Sequence, residues 1–208
     1  MTTHLGLQRI LLPSAQVSSL TTGSITLPSA GGEFLESFDS ISSTTLLNDS
    51  SSNIDFTSIP TIYTHLQLRI LGKAVDTAGV TNGNIKIQFN NDTGANYSSH
   101  YMIGKADGSK PAGSNTGDTA MYGGKRGNLE SGRTLLYGIS VIDILNYQNT
   151  NMFKTIRYYS SIHAGSNGEV FHGTANWRST SAITSIKITM DTGNLGTNMT
   201  ASLYGIRS

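Results

Sequence analysis

The sequence contains no cysteine, which excludes disulfide staples and thiolate metal sites and leaves the redox compartment open. Charge is scarce too. Asp, Glu, Lys and Arg make up 13% of the 208 residues, about half the usual share for a soluble domain. The formal net charge is +1, and the basic residues are scattered, with Lys125-Arg126 the only tight group. No field strong enough to gather nucleic acid or an anionic membrane follows from that balance, so neither is an expected partner. Long apolar runs are missing as well. The opening stretch MTTHLGLQRILLPSAQ is too short in apolar character for a signal-peptide core or a membrane span, and we expect neither. Helical periodicity is the last absence: no window longer than about ten residues keeps an i, i+3, i+4 apolar stripe, so no helix beyond roughly three turns is expected.

Ser, Thr, Asn and Gly fill the place of the missing charge, while apolar residues still reach 37% and recur in blocks that argue against disorder. Those blocks alternate with period 2. YTHLQLRI sets Leu66, Leu68 and Ile70 against His65, Gln67 and Arg69, and NIKIQF sets Ile85, Ile87 and Phe89 against Lys86 and Gln88. Turn chemistry such as Asn82-Gly83, Thr93-Gly94, Asn167-Gly168 and Gly193-Asn194 separates the runs. The pattern predicts an all-β chain, a jelly-roll-like two-sheet antiparallel sandwich with an N-terminal β-rich arm. The expected boundaries are 1–53 for the arm or attachment region and 54–208 for the sandwich. Leu66, Leu68, Ile70, Ile85, Ile87, Phe89, Ile139, Ile156, Ile186 and Ile188 are the expected core. The Gly-, Ser- and Asn-rich stretch from Gly104 to Gly132 reads as a long loop or hairpin insertion.

Chemistry is harder to find. No two of the five histidines stand at i, i+2 or i, i+4 spacing, so no local metal clamp is expected. No G-x-S-x-G occurs, and Asp76, Asp92, Asp107, Asp118 and Asp191 sit beside Thr, Gly or Asn, where an aspartate usually closes a turn on its own backbone. No catalytic residue, metal site or cofactor is therefore expected. Asn90-Asn91-Asp92-Thr93-Gly94 gathers oxygens but lacks the regular acidic spacing of a calcium loop. Tyr97, Tyr101, Tyr158, Tyr159 and Trp177 are the aromatic candidates for stacking on a sugar, with Tyr158, Tyr159 and Trp177 foremost. Against that stands the ordinary role of such rings in closing a core.

The stretch VIDILNYQNTNMFKTIRYYSS concentrates the ambiguity, since it holds an acid, a Lys, an Arg and two adjacent tyrosines. Its alternation reads as a strand from Thr134 to Leu145 that shifts face near Ile142, a corner, and a second strand from Met152 to Ser161. Asp143, between two isoleucines, is expected to draw its donors from the corner's backbone and amides.

IDILNYQNTNMFKTIRYYSS, with IPTIYTHLQLRI, IQFNNDTGANYSSHY, Asn176-Trp177, SAITSIKI and SLYGI, resembles a β-sandwich domain of virion structural proteins of tailed bacteriophages over about Ile54 to Ile206. The resemblance implies a virion location, other capsid or tail proteins as partners and a homo-oligomer, most simply a trimer. It supplies no catalytic residues. The expected function is then a non-enzymatic particle component, on the capsid as decoration or in the tail or its fibres. The alternative is a receptor- or carbohydrate-binding adhesin of the tail that meets a host-surface glycan. A glycan-cleaving enzyme fits least, because paired acids are lacking.

Overall fold

Only an extended backbone places every second residue on one face, and that geometry dominates the computed structural model, which describes residues 37–75, 84–125, 137–162 and 168–207. The strands are β1 (Phe38–Thr45), β2 (Asn53–Phe56), β3 (His65–Gly72), β4 (Ala74–Val75), β5 (Asn84–Phe89), β6 (Tyr97–Lys105), β7 (Ala112–Asp118), β8 (Met121–Lys125), β9 (Gly138–Ile144), β10 (Lys154–Ile162), β11 (Glu169–Trp177), β12 (Ile186–Met190), β13 (Asn194–Leu195) and β14 (Thr200–Ile206). No helix occurs among the described residues. The chain is all-β, as its alternation predicts.

Eight strands form one sheet in the order β1-β14-β3-β9-β10-β11-β6-β7, and four form a second in the order β2-β12-β5-β8; β4 and β13 make a short pair. Every pairing is antiparallel. The inner faces of the two sheets meet as a sandwich. Leu66, Leu68 and Ile70 of β3, Ile142 and Ile144 of β9, Ile156 of β10 and Leu203 of β14 pack with Ile85, Ile87 and Phe89 of β5 and Ile186 and Ile188 of β12.

All the expected core residues are buried except Ile139, which is 46% exposed. The expected change of face near Ile142 does not occur. Gly138, Ser140, Ile142 and Ile144 all point inward, so Ile139, Val141 and Asp143 point out. Ser140 occupies a core position because its hydroxyl donates to the Gly123 carbonyl, and buried Ser160 likewise donates to Ile139 O at 2.9 Å. A satisfied hydroxyl at an inward position hides the true alternation from a reader who counts only apolar residues. The following strand begins at Lys154, and Met152 and Phe153 precede it as exposed residues.

The expected arm ends at residue 53, whereas the chain divides after Leu35. Phe38–Thr45 form β1, an edge strand of the large sheet, and residues 1–36 lie outside the described set. The low apolar content that suggested an arm suits an edge strand whose outer face meets water. Its hydroxyls pair across the ladder instead, Ser43 with Ser202 at 2.7 Å and Thr45 with Thr200 at 3.0 Å.

Of the two readings of the stretch from Gly104 to Gly132, loop or hairpin insertion, the hairpin is what the structure shows, with β7 paired antiparallel to β6. The stretch contains β7 and β8, joined to β6 by a tight turn in which Gly108 N donates to Lys105 O; residues 126–132 lie outside the described set. Close packing explains the glycines of β8. A Cβ on Gly123 would stand 2.7 Å from Ile87, and one on Gly124, whose φ is +116°, would stand 2.5 Å from Ser160. β8 passes over β9, β10 and β11 at a distance only a bare backbone permits.

Candidate functional site

The charged residues of the 141–161 stretch separate onto the two faces of the large sheet. Gln67, Asp143 and Arg157 stand in one cross-strand row over β3, β9 and β10 on the outer face. Gln67 Nε2 donates to Asp143 Oδ1 at 2.8 Å, and Arg157 Nη2 reaches Asp143 Oδ2 at 2.6 Å. Burial pushes the Asp143 pKa up, but the Gln67 and Arg157 contacts outweigh it and the net direction is down. The donors thus come from neighbouring strands, not from the corner as expected, because register brings two long polar side chains directly opposite the carboxylate.

Lys154 lies on the inner face and is fully buried. Its Nζ donates to the carbonyls of Asn149 at 2.6 Å, Met152 at 3.1 Å and Thr180 at 3.1 Å. Burial lowers its pKa from the usual lysine value. The ammonium fastens the β9–β10 corner to the connection that follows β11. Its contacts are those of a structural cation.

Trp177 is equally committed. It is buried, stacks on Tyr97 at a centroid distance of 6.4 Å and meets Phe89 edge-on at 5.7 Å. Its Nε1 donates to Asp92 Oδ2 at 2.7 Å, and the same carboxylate accepts from Gly94 N at 2.8 Å and Asn96 Nδ2 at 3.0 Å. These donors, led by Trp177, hold the Asp92 carboxyl below its ordinary pKa against the opposing effect of burial. Asn90 stands in the left-handed region at φ 52°. Its side chain clamps the chain near Thr184, donating to Ala182 O at 2.8 Å and accepting from Thr184 N at 2.8 Å. The Asn90 amide oxygen and the Asp92 carboxylate of this turn are thereby engaged with N–H groups. Tyr97 closes the corner, donating to Asp92 O at 3.0 Å and accepting from Phe89 N at 3.1 Å, with burial pushing its pKa up to about 12.

Tyr158 faces inward beside a cavity of about 140 Å³, partly open to solvent, whose walls include Tyr101, Tyr122, Phe171, Ile103 and Asn84. Its orientation follows from a ladder of glycines. In register across the sheet stand Gly113 of β7, Tyr101 of β6, Gly173 of β11 and Tyr158 of β10. The Tyr158 ring leans over Gly173, where a Cβ would lie 2.3 Å from its Cζ, and Tyr101 leans over Gly113, where a Cβ would lie 2.7 Å from its hydroxyl. Each tyrosine therefore occupies the space its neighbour lacks. Tyr101 and Tyr122 meet edge to face at 5.7 Å.

Tyr159 points the other way and is 50% exposed on the outer face, opposite His172 of β11. The three foremost aromatic candidates do not form one platform: Trp177 and Tyr158 are interior and Tyr159 is exterior. Tyr122 was not singled out by the sequence, and no local signal marks it, since the register that brings β8 over β10 is tertiary. On the outer face an open groove runs over β6, β7 and β11 past His100, Met102, Ser114 and His172. His65 accepts from Asn146 N at Nδ1 at 2.9 Å, which caps the corner. His4 and His163 lie outside the described residues.

Asp92 and Asp107 make the expected turns, each accepting from the N–H two residues on. Asp191 instead reaches across to Asn84, and Asp118 Oδ2 has no partner among the described residues; Asp76 lies outside them. Among the described residues no group of three or more His, Asp or Glu is placed to hold a metal ion, and no helix is long and apolar enough to cross a membrane. Comparison with protein-family models, curated proteins and solved structures finds no match to this chain.

Proposed function

We propose that the chain is a non-enzymatic structural protein of a tailed-bacteriophage particle, exposed on the capsid or tail and assembled with further copies of itself. The outer face of the large sheet supports the assembly part of the proposal. Leu71, Ile139, Ser161 and Val170 follow one another in a single row across β3, β9, β10 and β11. The next row contains Val141, Tyr159, His172 and Met102. Leu71, Ile139, Val170, Tyr159 and Met102 are each between 43% and 59% exposed. Together they present on the order of 400 Å² of contiguous surface, within the range of the largest patches that monomers show and usually put to use. That is about half of one side of a standard protein interface, so the patch can form the centre of a contact whose polar rim supplies the rest.

A second copy is the fitting occupant. With a net charge of +1, copies do not repel one another, and a particle part gains affinity by repetition, so a modest contact suffices. The threefold number and the virion location rest on the resemblance alone. Light scattering should give a mass above that of the monomer, and Ile139→Lys with Val170→Lys should yield a folded monomer. A monomeric wild type, or a double variant that assembles unchanged, would refute the assembly reading. Mass spectrometry and a density map of purified particles test the location, and turnover of a host polysaccharide by the purified chain would overturn the non-enzymatic reading.

The alternative, a glycan-binding adhesin, draws on a different feature, the tyrosine-walled cavity.

A further inference from the structure

We propose that the cavity between β6, β8, β10 and β11 binds one neutral, hydroxyl-bearing six-membered ring, the terminal pyranose of a glycan, with Tyr158, Tyr101 and Tyr122 as its hydrogen-bonding groups. The inference is independent of the assembly reading, since the cavity opens between the sheets and the apolar patch lies on the outer face.

The first support is an unmet hydroxyl. Tyr158 is 1% exposed and lines the cavity, yet its hydroxyl makes no hydrogen bond with another described residue. Other fully buried tyrosines here do find partners: Tyr97 bonds to Phe89 and Asp92, and Tyr147 to Pro60 and Gln148. A buried phenol usually meets that requirement. The position is also enforced, because Gly173 leaves the ring its place and any larger residue would displace it.

The second support is the composition of the walls. Among the described residues no charged side chain lines the cavity, so a phosphate or carboxylate would lose its hydration with no counter-charge from them in return. Three phenols and the Asn84 amide can each donate or accept, as a polyol requires, while Phe171, Ile103 and the tyrosine rings supply apolar wall for a ring face. Burial, followed by the neighbouring Tyr101 and Tyr122, raises the Tyr158 pKa well above the usual value. The phenol therefore stays protonated and able to donate at neutral pH. The third support is size. A volume of about 140 Å³ matches a cavity that accepts a single benzene-sized ring, which restricts the ligand to one sugar unit.

The test is saturation-transfer NMR on the full chain with methyl glucoside, methyl galactoside and methyl mannoside as probes and phenol as the apolar control. At least one glycoside should bind with a millimolar Kd, as a lone small ring does. Tyr158→Phe, which keeps the ring and removes the hydroxyl, should weaken that binding about three- to tenfold, the effect of one neutral hydrogen bond. Tyr122→Phe, at a half-buried position, should act in the same direction and serves if the Tyr158 variant does not fold. Silence from all three glycosides would show a cavity that holds only water. Binding of phenol alone would show a merely apolar one. Glycoside binding unchanged in the folded variants would place the sugar elsewhere. Each of these three results overturns the proposal, and none bears on whether the chain assembles.

Discussion

Replacing Lys154 by methionine keeps an unbranched apolar stem of similar length and removes only the ammonium. Two opposing terms decide the outcome. The buried Nζ donates to three backbone carbonyls, and a hydrogen bond involving a charged group contributes about 1.5–3 kcal/mol. Against this, an ammonium held away from water costs several kcal/mol, and replacing buried ions with apolar groups is sometimes stabilising. The carbonyls decide between them. Asn149, Met152 and Thr180 are exposed as residues, so water can reach part of what the lysine leaves, and the loss will not be three full bonds. Yet the Nζ bond to Thr180 O reinforces the backbone bond from Ile183 N to Tyr147 O at 2.9 Å, the other tie between the corner and this connection that the described residues show. We expect Lys154→Met to destabilise by about 2–4 kcal/mol. In a urea titration with an unchanged m-value, that lowers the midpoint by about 1 M or more. An equal or higher midpoint would show that the desolvation of the ammonium cancels its bonds, and would refute the assignment of Lys154 as the fastening of the corner.

Three further outcomes follow from the same geometry. Ile87→Ala, at a fully buried site facing Gly123, should cost about 2–5 kcal/mol by chemical denaturation; a cost below about half a kcal/mol would mean that the faces of β5 are misassigned. Gly124→Ala should cost about 2 kcal/mol or more in a thermal melt, from its positive φ and the collision with Ser160, whereas a neutral result would refute the close packing of β8 against β10. Asp92→Ala should destabilise by about 2–3 kcal/mol and shift the emission of Trp177, the sole tryptophan. Because the folded pKa of Asp92 is depressed, the wild type holds this contribution above the unfolded value, about 3.9. It loses the contribution as pH falls through the folded value. The difference between wild type and variant should therefore shrink in acid below that point, and a constant difference down to low pH would refute the role of the ionised carboxylate.

The sequence by itself determined the class of fold and most of the core. Period-2 alternation allows only extended backbone, and wherever both neighbours of an apolar residue were polar, as around Leu68 and Ile87, the buried face could be read directly. Turns were legible for the same local reason: Asp92 and Asp107 close on N–H groups only two residues away. Reading failed where polar residues had been made safe to bury. Ser140 and Lys154 point into the core because acceptors from distant segments meet them, and no local pattern announces such partners. The glycines of β8 looked like loop chemistry because the Ser160 and Ile87 side chains that forbid a Cβ there belong to other strands. The aromatic candidates show the same limit. Which of Tyr158 and Tyr159 faced inward followed from alternation, but register alone set Tyr158 over Gly173 and beside Tyr101 and Tyr122. Register between strands far apart in sequence is settled by the packing of whole sheets, so the tertiary structure alone decided where the cavity lies and what lines it.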